Sequence, residues 1–366
     1  MAGEGIPEFK NGEVGLVKIA LTADVHLGIR EDHPERYKAL RNILDQLKDE
    51  NIKELIIAGD LFDKDFRNYV EFEELCKDYP GIQLHVVPGN HDPGVSDKSI
   101  VGGNISIYTS PTIKAFGSTD FLFLPYEENR AMGEKIAEME SELGRKQWIL
   151  IAHGDYYGGV KELNPLEPGT YMPLSRKDIE RFKPQNVFLG HIHKPIGWNN
   201  VYYTGSPCGL DINETGKRRF LLYDTSDGSV AYRTVATDVL YCNESFVLVP
   251  SNNEVSRLEH EIRKRIESWD FDLVDHEKVI VRVKAEGYAI DRSAVLEALE
   301  QGFENFKYYK NEGPNIDNLS ASSDIQLNAI AERTLEIIGD LDWGFGGNEP
   351  EKERVIVMAL SVIYGA

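Results

Sequence analysis

The sequence predicts an α/β protein, and three observations carry that prediction. Short apolar runs rich in Val, Ile and Leu recur at residues 17–21, 55–58, 84–87, 148–151 and 187–189. Runs of this kind, too short for helices and lacking polar alternation, indicate strands of a sheet covered on both faces. A helical pattern over 34–50 separates the first two. Each run then ends at a polar, glycine-containing turn, and open α/β sheets bind ligands at the carboxyl ends of their strands.

In chain order, the run at 17–21 leads into Asp24-Val25-His26. The helix at 34–50 has Pro34 in its first turn, where a missing N–H is harmless, and Leu40, Ile43, Leu44 and Leu47 on one face. It is expected to cover the sheet between the first two strands. The run at 55–58 leads into Gly59-Asp60-Leu61-Phe62-Asp63, and 84–87 into Gly89-Asn90-His91-Asp92. The runs at 148–151 and 187–189 lead into His153-Gly154 and Gly190-His191-Ile192-His193. Glycine at such turns lets the chain leave a strand sharply and approach a ligand closely. Asp227-Gly228, between 220–223 and 230–235, is a hairpin signal expected to close the second sheet of a sandwich. A first domain is therefore placed at 1–240.

Beyond it the pattern changes to a strand at 246–249, a helix at 255–268, a strand at 279–283, a helix at 293–301 and a short strand at 306–309. This predicts a small α+β domain over 241–312 with no chemistry-bearing string. Residues 311–322 are polar with Gly and Pro, as in a linker. Ser323-x-x-Gln326 is a capping-box start for a helix to about 338. Residues 344–350 form a second breaker, and an apolar segment follows at 355–364. That segment is too short for a bilayer span. It packs either on the protein's own core or on another protein, and 313–366 is taken as a helical C-terminal segment.

The chain has 366 residues, 41% of them hydrophobic, enough for two domains and a tail and too many for general disorder. Residues 1–15 hold no apolar signal region, and no stretch reaches membrane-span length, so a cytoplasmic protein without membrane association is expected. Cys76, Cys208 and Cys242 have no zinc spacing and cannot all pair, which fits a reducing compartment. The net charge is −21. Residues 1–240 carry 27 basic and 37 acidic side chains, 241–366 carry 13 and 24, and the last 56 residues 3 and 10. Such a chain would bind a polyanion weakly by itself.

Asp24, His26, Asp60, Asn90, His153, His191 and His193 form an oxygen and nitrogen donor set without thiolate. It suits Mn2+, Mg2+, Fe2+ or Zn2+ rather than a structural zinc. Residues two apart on extended chain point the same way, so Asp24 with His26, and His191 with His193, can serve one ion or neighbouring ions. Seven donors are too many for one ion and fit two that share a bridge. Each string alone is also compatible with a turn and a satisfied histidine, and Asp60 and Asp63 could cap a following helix. His33, His85, His260 and His276 belong to no string and are ordinary surface or core histidines.

The ordered series D-x-H, G-D-x-x-D, G-N-H-D, H-G, G-H-x-H resembles the calcineurin-like metallophosphoesterase superfamily over residues 17 to about 235. Ala23-Asp24-Val25-His26-Leu27-Gly28, Glu35-Arg36, Ala58 to Asp63, Gly190-His191-Ile192-His193-Lys194-Pro195 and Tyr203-Thr204-Gly205-Ser206-Pro207 resemble the SbcD-type nucleases of double-strand-break repair. The protein Ser/Thr phosphatase branch continues its second motif with Arg-Gly, where this chain has Lys64-Asp65, and ends its third in Glu, where this chain has Asp92.

The resemblance implies a four-layer αββα sandwich with a smaller α+β capping domain and a helical C-terminal tail. It places Asp24, His26, Asp60 and His193 on one metal ion, and Asp60, Asn90, His153 and His191 on the other, with Mn2+ the expected metal. Two such ions ~3.5–4 Å apart can activate water and neutralise phosphoryl charge. His91, beside a ligand yet unnecessary to either shell, can donate a proton to the leaving oxygen. Asp63 is either an orienter of a ligand histidine or a helix cap. A DNA exonuclease and endonuclease is implied, homodimeric and working with an SbcC-type ABC ATPase that carries a coiled coil. Hydrolysis of nucleotides or other small phosphoesters is the first alternative, and a non-catalytic scaffold the second.

Overall fold

The computed structural model describes residues 17–96, 98–100, 102–144, 147–158, 169–341 and 352–365. The breaker expected at 344–350 and the stretch 1–15, expected to hold no signal region, lie outside the described residues. The chain divides into two compact units. The first comprises Met1–Cys208 and Arg218–Asp238, the second Gly209–Lys217 and Val239–Ala366.

The first unit opens with β1 (Lys18–Thr22), α1 (Pro34–Asp49), β2 (Glu54–Ala58), α2 (Val70–Lys77), β3 (Gln83–Val87) and β4 (Ile105–Ile107). There follow β5 (Thr112–Phe116), β6 (Thr119–Leu124), α3 (Met132–Leu143), β7 (Trp148–His153), β8 (Tyr156–Tyr157), β9 (Leu174–Ser175) and α4 (Arg176–Phe182). The unit ends with β10 (Asn186–Gly190), β11 (Ile196–Trp198), β12 (Val201–Tyr203), β13 (Arg219–Asp224) and β14 (Val230–Thr234). One sheet has the order β14-β13-β1-β2-β3-β4 and the other β11-β12-β10-β7-β6-β5.

The central strands β1, β2, β3, β7 and β10 are covered on both faces, which is why they read as unbroken apolar runs. Ile19, Leu21, Ile56 and Ala58 of one sheet meet Phe121, Phe123, Ile149, Ile151 and Phe188 of the other in a shared core. The alternate residues Ala20, Leu55 and Ile57 face outward onto Leu40, Ile43, Leu44 and Leu47 of α1. Leu150, Ala152, Val187 and Leu189 face outward onto Met132 and Ile136 of α3. The result is four layers, helix, sheet, sheet, helix. Burial of each large apolar side chain contributes about 1.5–3 kcal/mol.

The hairpin read at Asp227-Gly228 forms, with Gly228 at φ 74°. It does not close the second sheet. β13 pairs antiparallel with β1, from Lys18 opposite Asp224 to Leu21 opposite Leu221, so the hairpin extends the first. Leu221 and Tyr223 supply the reason, since both face the shared core beside Ile19 and Leu21.

In the second unit β15 (Leu240–Leu248), α5 (Glu254–Glu267), β16 (Val279–Ala289), α6 (Arg292–Gly302), β17 (Lys307–Tyr308), β18 (Leu319–Ala321), α7 (Ile325–Gly339) and α8 (Lys352–Tyr364) follow in order. β16 pairs in parallel with β15, β17 and β18. β15 starts six residues before the strand expected at 246. Its inward positions Leu240, Cys242, Glu244, Phe246 and Leu248 include a buried carboxylate, satisfied by Arg265 at 3.3 Å and Trp269 Nε1 at 2.8 Å.

The stretch expected to be a linker contains β18, anchored by buried Leu319. α7 is capped by Asp324 rather than Ser323, the carboxylate accepting from the N–H groups of Gln326 and Leu327. α8 packs Leu360 with Val249 and Ala331, and its Tyr364 ring stacks on Tyr288 at 3.8 Å. Met358 and Val362 on its other side are 62% and 83% exposed. No described helix is long and apolar enough to cross a membrane.

Candidate metal centre

The period-two alternation of the strands carries straight into the site. Ile149 and Ile151 face the shared core, so His153, two residues on, points the same way, and Asp60 stands in the same relation to Ile56 and Ala58. The first two strings run side by side. Asp24 N–H donates to Gly59 O at 3.1 Å, His26 N–H to Asp60 O at 3.0 Å and Leu27 N–H to Leu61 O at 2.8 Å. The two sheets are tied by His191 N–H, which donates to the Asp24 carboxylate at 2.9 Å.

This lacing bends the backbone. Asp24, His26, Asp60 and His191 have φ of 53°, 49°, 50° and 94°, the left-handed region that side-chain-bearing residues seldom adopt. Glycine is required where chains approach most closely. A Cβ on Gly59 would stand 2.0 Å from His153 Nδ1, and one on Gly89 would stand 2.1 Å from Asp60 Oδ1.

Asp24, His26, Asp60, His153 and His191 are buried. Asp60 Oδ2 lies 3.3 Å from His153 Nε2 and 3.7 Å from His26 Nε2. Its Oδ1 accepts from His91 N–H at 2.9 Å. Asn90 Oδ1 lies 2.7 Å from His153 Nε2 and 3.2 Å from His191 Nδ1. Donor atoms of Asp24, His26 and His193 fall within 4.8 Å of one another, as do those of Asp24, Asp60 and His153, and of His26, Asp63 and His91. All seven residues picked from the sequence as ligands therefore converge, with His91 and Asp63 at their border.

Burial pushes the Asp24 carboxyl up, and the nearby Asp60 charge adds to this against the pull of His193, His153 and His26. Burial also acts upward on Asp60, but His153 and His26 outweigh it and hold Asp60 well below the usual carboxylate range. Burial alone would lower His153, yet Asp60 and Asp24 carry it to about 9. Asp92 is pushed up to about 6 by burial and by Asp60.

Divalent cations fit this donor set. His26 Nε2 is buried with no hydrogen-bond partner, and an imidazole nitrogen so placed beside Asp60 and Asp24 is a ligand's arrangement. Cations would take the place of the protons that the clustered carboxylates and imidazoles otherwise need.

Asp63 caps no helix, because α2 begins at Val70 with Tyr69 at its N-cap. Its Oδ1 lies 3.3 Å from His91 Nδ1 and 3.7 Å from His26 Nδ1, and its Oδ2 accepts from Arg36 at 3.2 Å.

Several supporting residues received no role from the sequence. Asp92 accepts from the N–H groups of Gly89 and Phe62, fixing the third string to the second. Asp155 accepts from Tyr171 N–H at 2.8 Å and lies 3.7 Å from His191 Nε2, while the Tyr171 ring packs 4.6 Å from that of His191. Arg218 donates to the His193 carbonyl and to Ser206, which explains the Gly205-Ser206-Pro207 string. A signal existed for Asp155, since His153-x-Asp155 repeats the spacing of Asp24-x-His26.

A family model described as calcineurin-like phosphoesterase matches residues 17–224, more than half of the chain. The chain belongs to that family. Its members are built around a dinuclear metal centre, and the first unit of this phosphoesterase holds the converging donors such a centre needs. The chain is 25% identical over 224 residues to an uncharacterized metallophosphoesterase, YhaO, of Bacillus subtilis (strain 168), a match covering 56% of this chain. It spans about half, 53%, of that relative's length.

Among solved structures, the purple acid phosphatase PPD1 from yellow lupin (Lupinus luteus) seeds is 15% identical with a TM-score of 0.39, over 62% of this chain and 53% of that one. The structure of a novel archaeal phosphodiesterase is 15% identical with a TM-score of 0.34, over 60% of this chain and all of the other. Likenesses this low bear on neither the fold nor the chemistry of the phosphoesterase.

Proposed function

We propose that the chain is a metal-dependent phosphodiesterase acting on DNA, the nuclease subunit of a repair assembly with an SbcC-type ABC ATPase. The observation that carries the hydrolase is the convergence of seven oxygen and nitrogen donors on buried carboxylates. Asp24, His26, Asp60 and His193 would hold one divalent ion, and Asp60, Asn90, His153 and His191 the other. When bound, such ions activate water and offset phosphoryl charge. The hard oxygen donors with imidazole favour Mn2+ over thiophilic metals.

The chain's own residues do the rest. The Asp92 and Arg218 contacts hold the loops that present Asn90 and His193. His91 stands beside Asp60, with its backbone N–H on Asp60 Oδ1 and its Nδ1 toward Asp63, and an imidazole at this border of the ligand set can give a proton to the leaving oxygen.

DNA as substrate is supported by Leu27-Gly28, Lys194-Pro195, Gly205-Ser206-Pro207 and the appended second unit, all of which resemble SbcD-type nucleases. The net charge of −21 favours a second reading, hydrolysis of nucleotides or other small phosphoesters, unless a partner supplies the basic surface. The apolar positions Met358 and Val362 on α8 are where such a partner would dock.

A paired assay with Mn2+ separates the readings, using a linear duplex with recessed ends against bis-p-nitrophenyl phosphate and nucleotides. Cleavage of the duplex is expected, and turnover of the small substrates alone would sink the nuclease. A metal content below one ion per chain would favour the non-catalytic scaffold.

A further inference from the structure

We propose that Arg36 is a positioning residue for His91, acting through Asp63, so that the three side chains form one relay at the border of the metal ligands. The proposal rests on the reading of His91 as the proton donor.

Arg36 occupies the first turn of α1, on the stripe that carries Leu40, Ile43, Leu44 and Leu47 into the outer core layer. A guanidinium buried there is unfavourable unless it is paired. Its Nη1 donates both to the His26 carbonyl and to Asp63 Oδ2. The other oxygen of Asp63 faces His91 Nδ1 and His26 Nδ1.

The division of labour follows from exposure. The Asp63 side chain is 42% exposed and sits in no secondary-structure element, so nothing but its partners fixes its rotamer. Arg36, 8% exposed and anchored in a helix, is the rigid member. It holds one carboxylate oxygen, and together with the Lys64 N–H, which donates to the other at 2.8 Å, it sets that other oxygen toward the imidazole. His91 itself is only partly buried, and its ring packs edge-on against His26 at 4.6 Å. Without Arg36 the Asp63 carboxylate keeps only its contact with the Lys64 N–H on that side and can rotate, which would weaken its contact with the His91 ring. Arg36 meets the candidate ligand His26 at its backbone carbonyl and not at its ring, so its effect is on orientation.

The test uses the full 366-residue chain loaded with Mn2+ and two esters of thymidine 5′-phosphate, one with p-nitrophenol and one with phenol as leaving group. A good leaving group needs little help from a proton donor, and a poor one needs much. Arg36→Gln is expected to lower kcat for the phenyl ester by on the order of 10²-fold, while the p-nitrophenyl ester changes by about threefold or less. Bound metal and KM should stay at wild-type values, and Arg36→Lys should fall between.

Asp63→Asn, at a half-exposed position that folding tolerates, should show the same split. The double variant should be no worse than either single one, as members of one chain of contacts behave. Equal losses on both esters, or metal loss as deep as in His26→Ala, would overturn the relay. His91→Asn is the reference. If that variant shows no dependence on the leaving group, the reading of His91 fails and the role of Arg36 goes with it. If it does and Arg36→Gln does not, only the relay fails.

Discussion

His153 Nε2 faces Asp60 Oδ2 at 3.3 Å while its Nδ1 lies 3.0 Å from the Ala58 carbonyl. A carbonyl oxygen can only accept, so Nδ1 carries the proton, and in neutral imidazole Nε2 is then a lone pair confronting a carboxylate. Two acceptors at that separation need a cation between them, either a proton or a metal. Asp60→Asn should therefore remove the shared counter-charge of both ions. Metal analysis of the purified variant is expected to find less than one ion per chain, and Mn2+ added after chelation should restore hydrolysis to the wild type alone.

His91 contributes its backbone N–H to Asp60 and its ring to Asp63, and the proposed ligand sets are complete without its nitrogens. His91→Ala is accordingly expected to keep both metals and lose about 10²–10⁴-fold in turnover on esters with poor leaving groups. Metal analysis beside the kinetics decides the matter, because loss of an ion with the substitution would place His91 in the coordination shell.

Gly89 and Gly81 give a matched pair. A Cβ on Gly89 would meet Asp60 Oδ1 at 2.1 Å and the Asp60 backbone nitrogen at 2.5 Å, so the Asp60 carboxylate would have to move. A Cβ on Gly81 meets nothing within 4 Å. Gly89→Ala should cost metal binding and activity together, whereas Gly81→Ala should match wild type in both activity and melting temperature.

The positions of these groups were largely legible in the sequence, because each candidate ligand follows a strand whose apolar residues alternate between two cores. Extending the alternation by two residues places Asp60 and His153 on the inner face. The left-handed φ of Asp24, His26 and Asp60 left no mark, since no glycine stands at those positions to announce it. Glu244 hid the first half of β15, because an inward carboxylate breaks the apolar pattern and its partners Arg265 and Trp269 lie more than twenty residues away. The hairpin at Asp227-Gly228 was visible as a hairpin, but its sheet was decided by register with β1, a contact across some two hundred residues of chain.

His85 provides a pH dependence remote from the metal ligands. It is fully buried on β3, with Nε2 2.7 Å from Glu54 and Nδ1 2.9 Å from the Tyr108 hydroxyl. Burial lowers its pKa, with Lys114 acting the same way and Glu54 opposing. Because the folded value lies below the unfolded value of 6.5, the unfolded chain binds the proton first as pH falls. The contribution to stability is whole above pH 6.5 and is lost progressively below it. Melting temperature should drop on acidification through this window, and His85→Gln should flatten that part of the curve. An identical slope in the variant would assign the acid sensitivity elsewhere.

The two faces of α8 make separable predictions. Leu360 is buried with Val249 and Ala331, so truncation of residues 320–366 would strip the second unit of packing as well as of any docking surface. Met358 and Val362, four residues apart on the exposed side, can be changed without opening that core. The double variant Met358→Glu, Val362→Glu should keep its melting temperature and its hydrolysis of bis-p-nitrophenyl phosphate. It should fail to co-purify with a co-expressed coiled-coil ATPase that retains the wild-type chain. The new carboxylates would have to be buried unpaired at the interface, a penalty large enough to abolish a modest association. Undiminished co-purification would show that α8 does not form the docking surface.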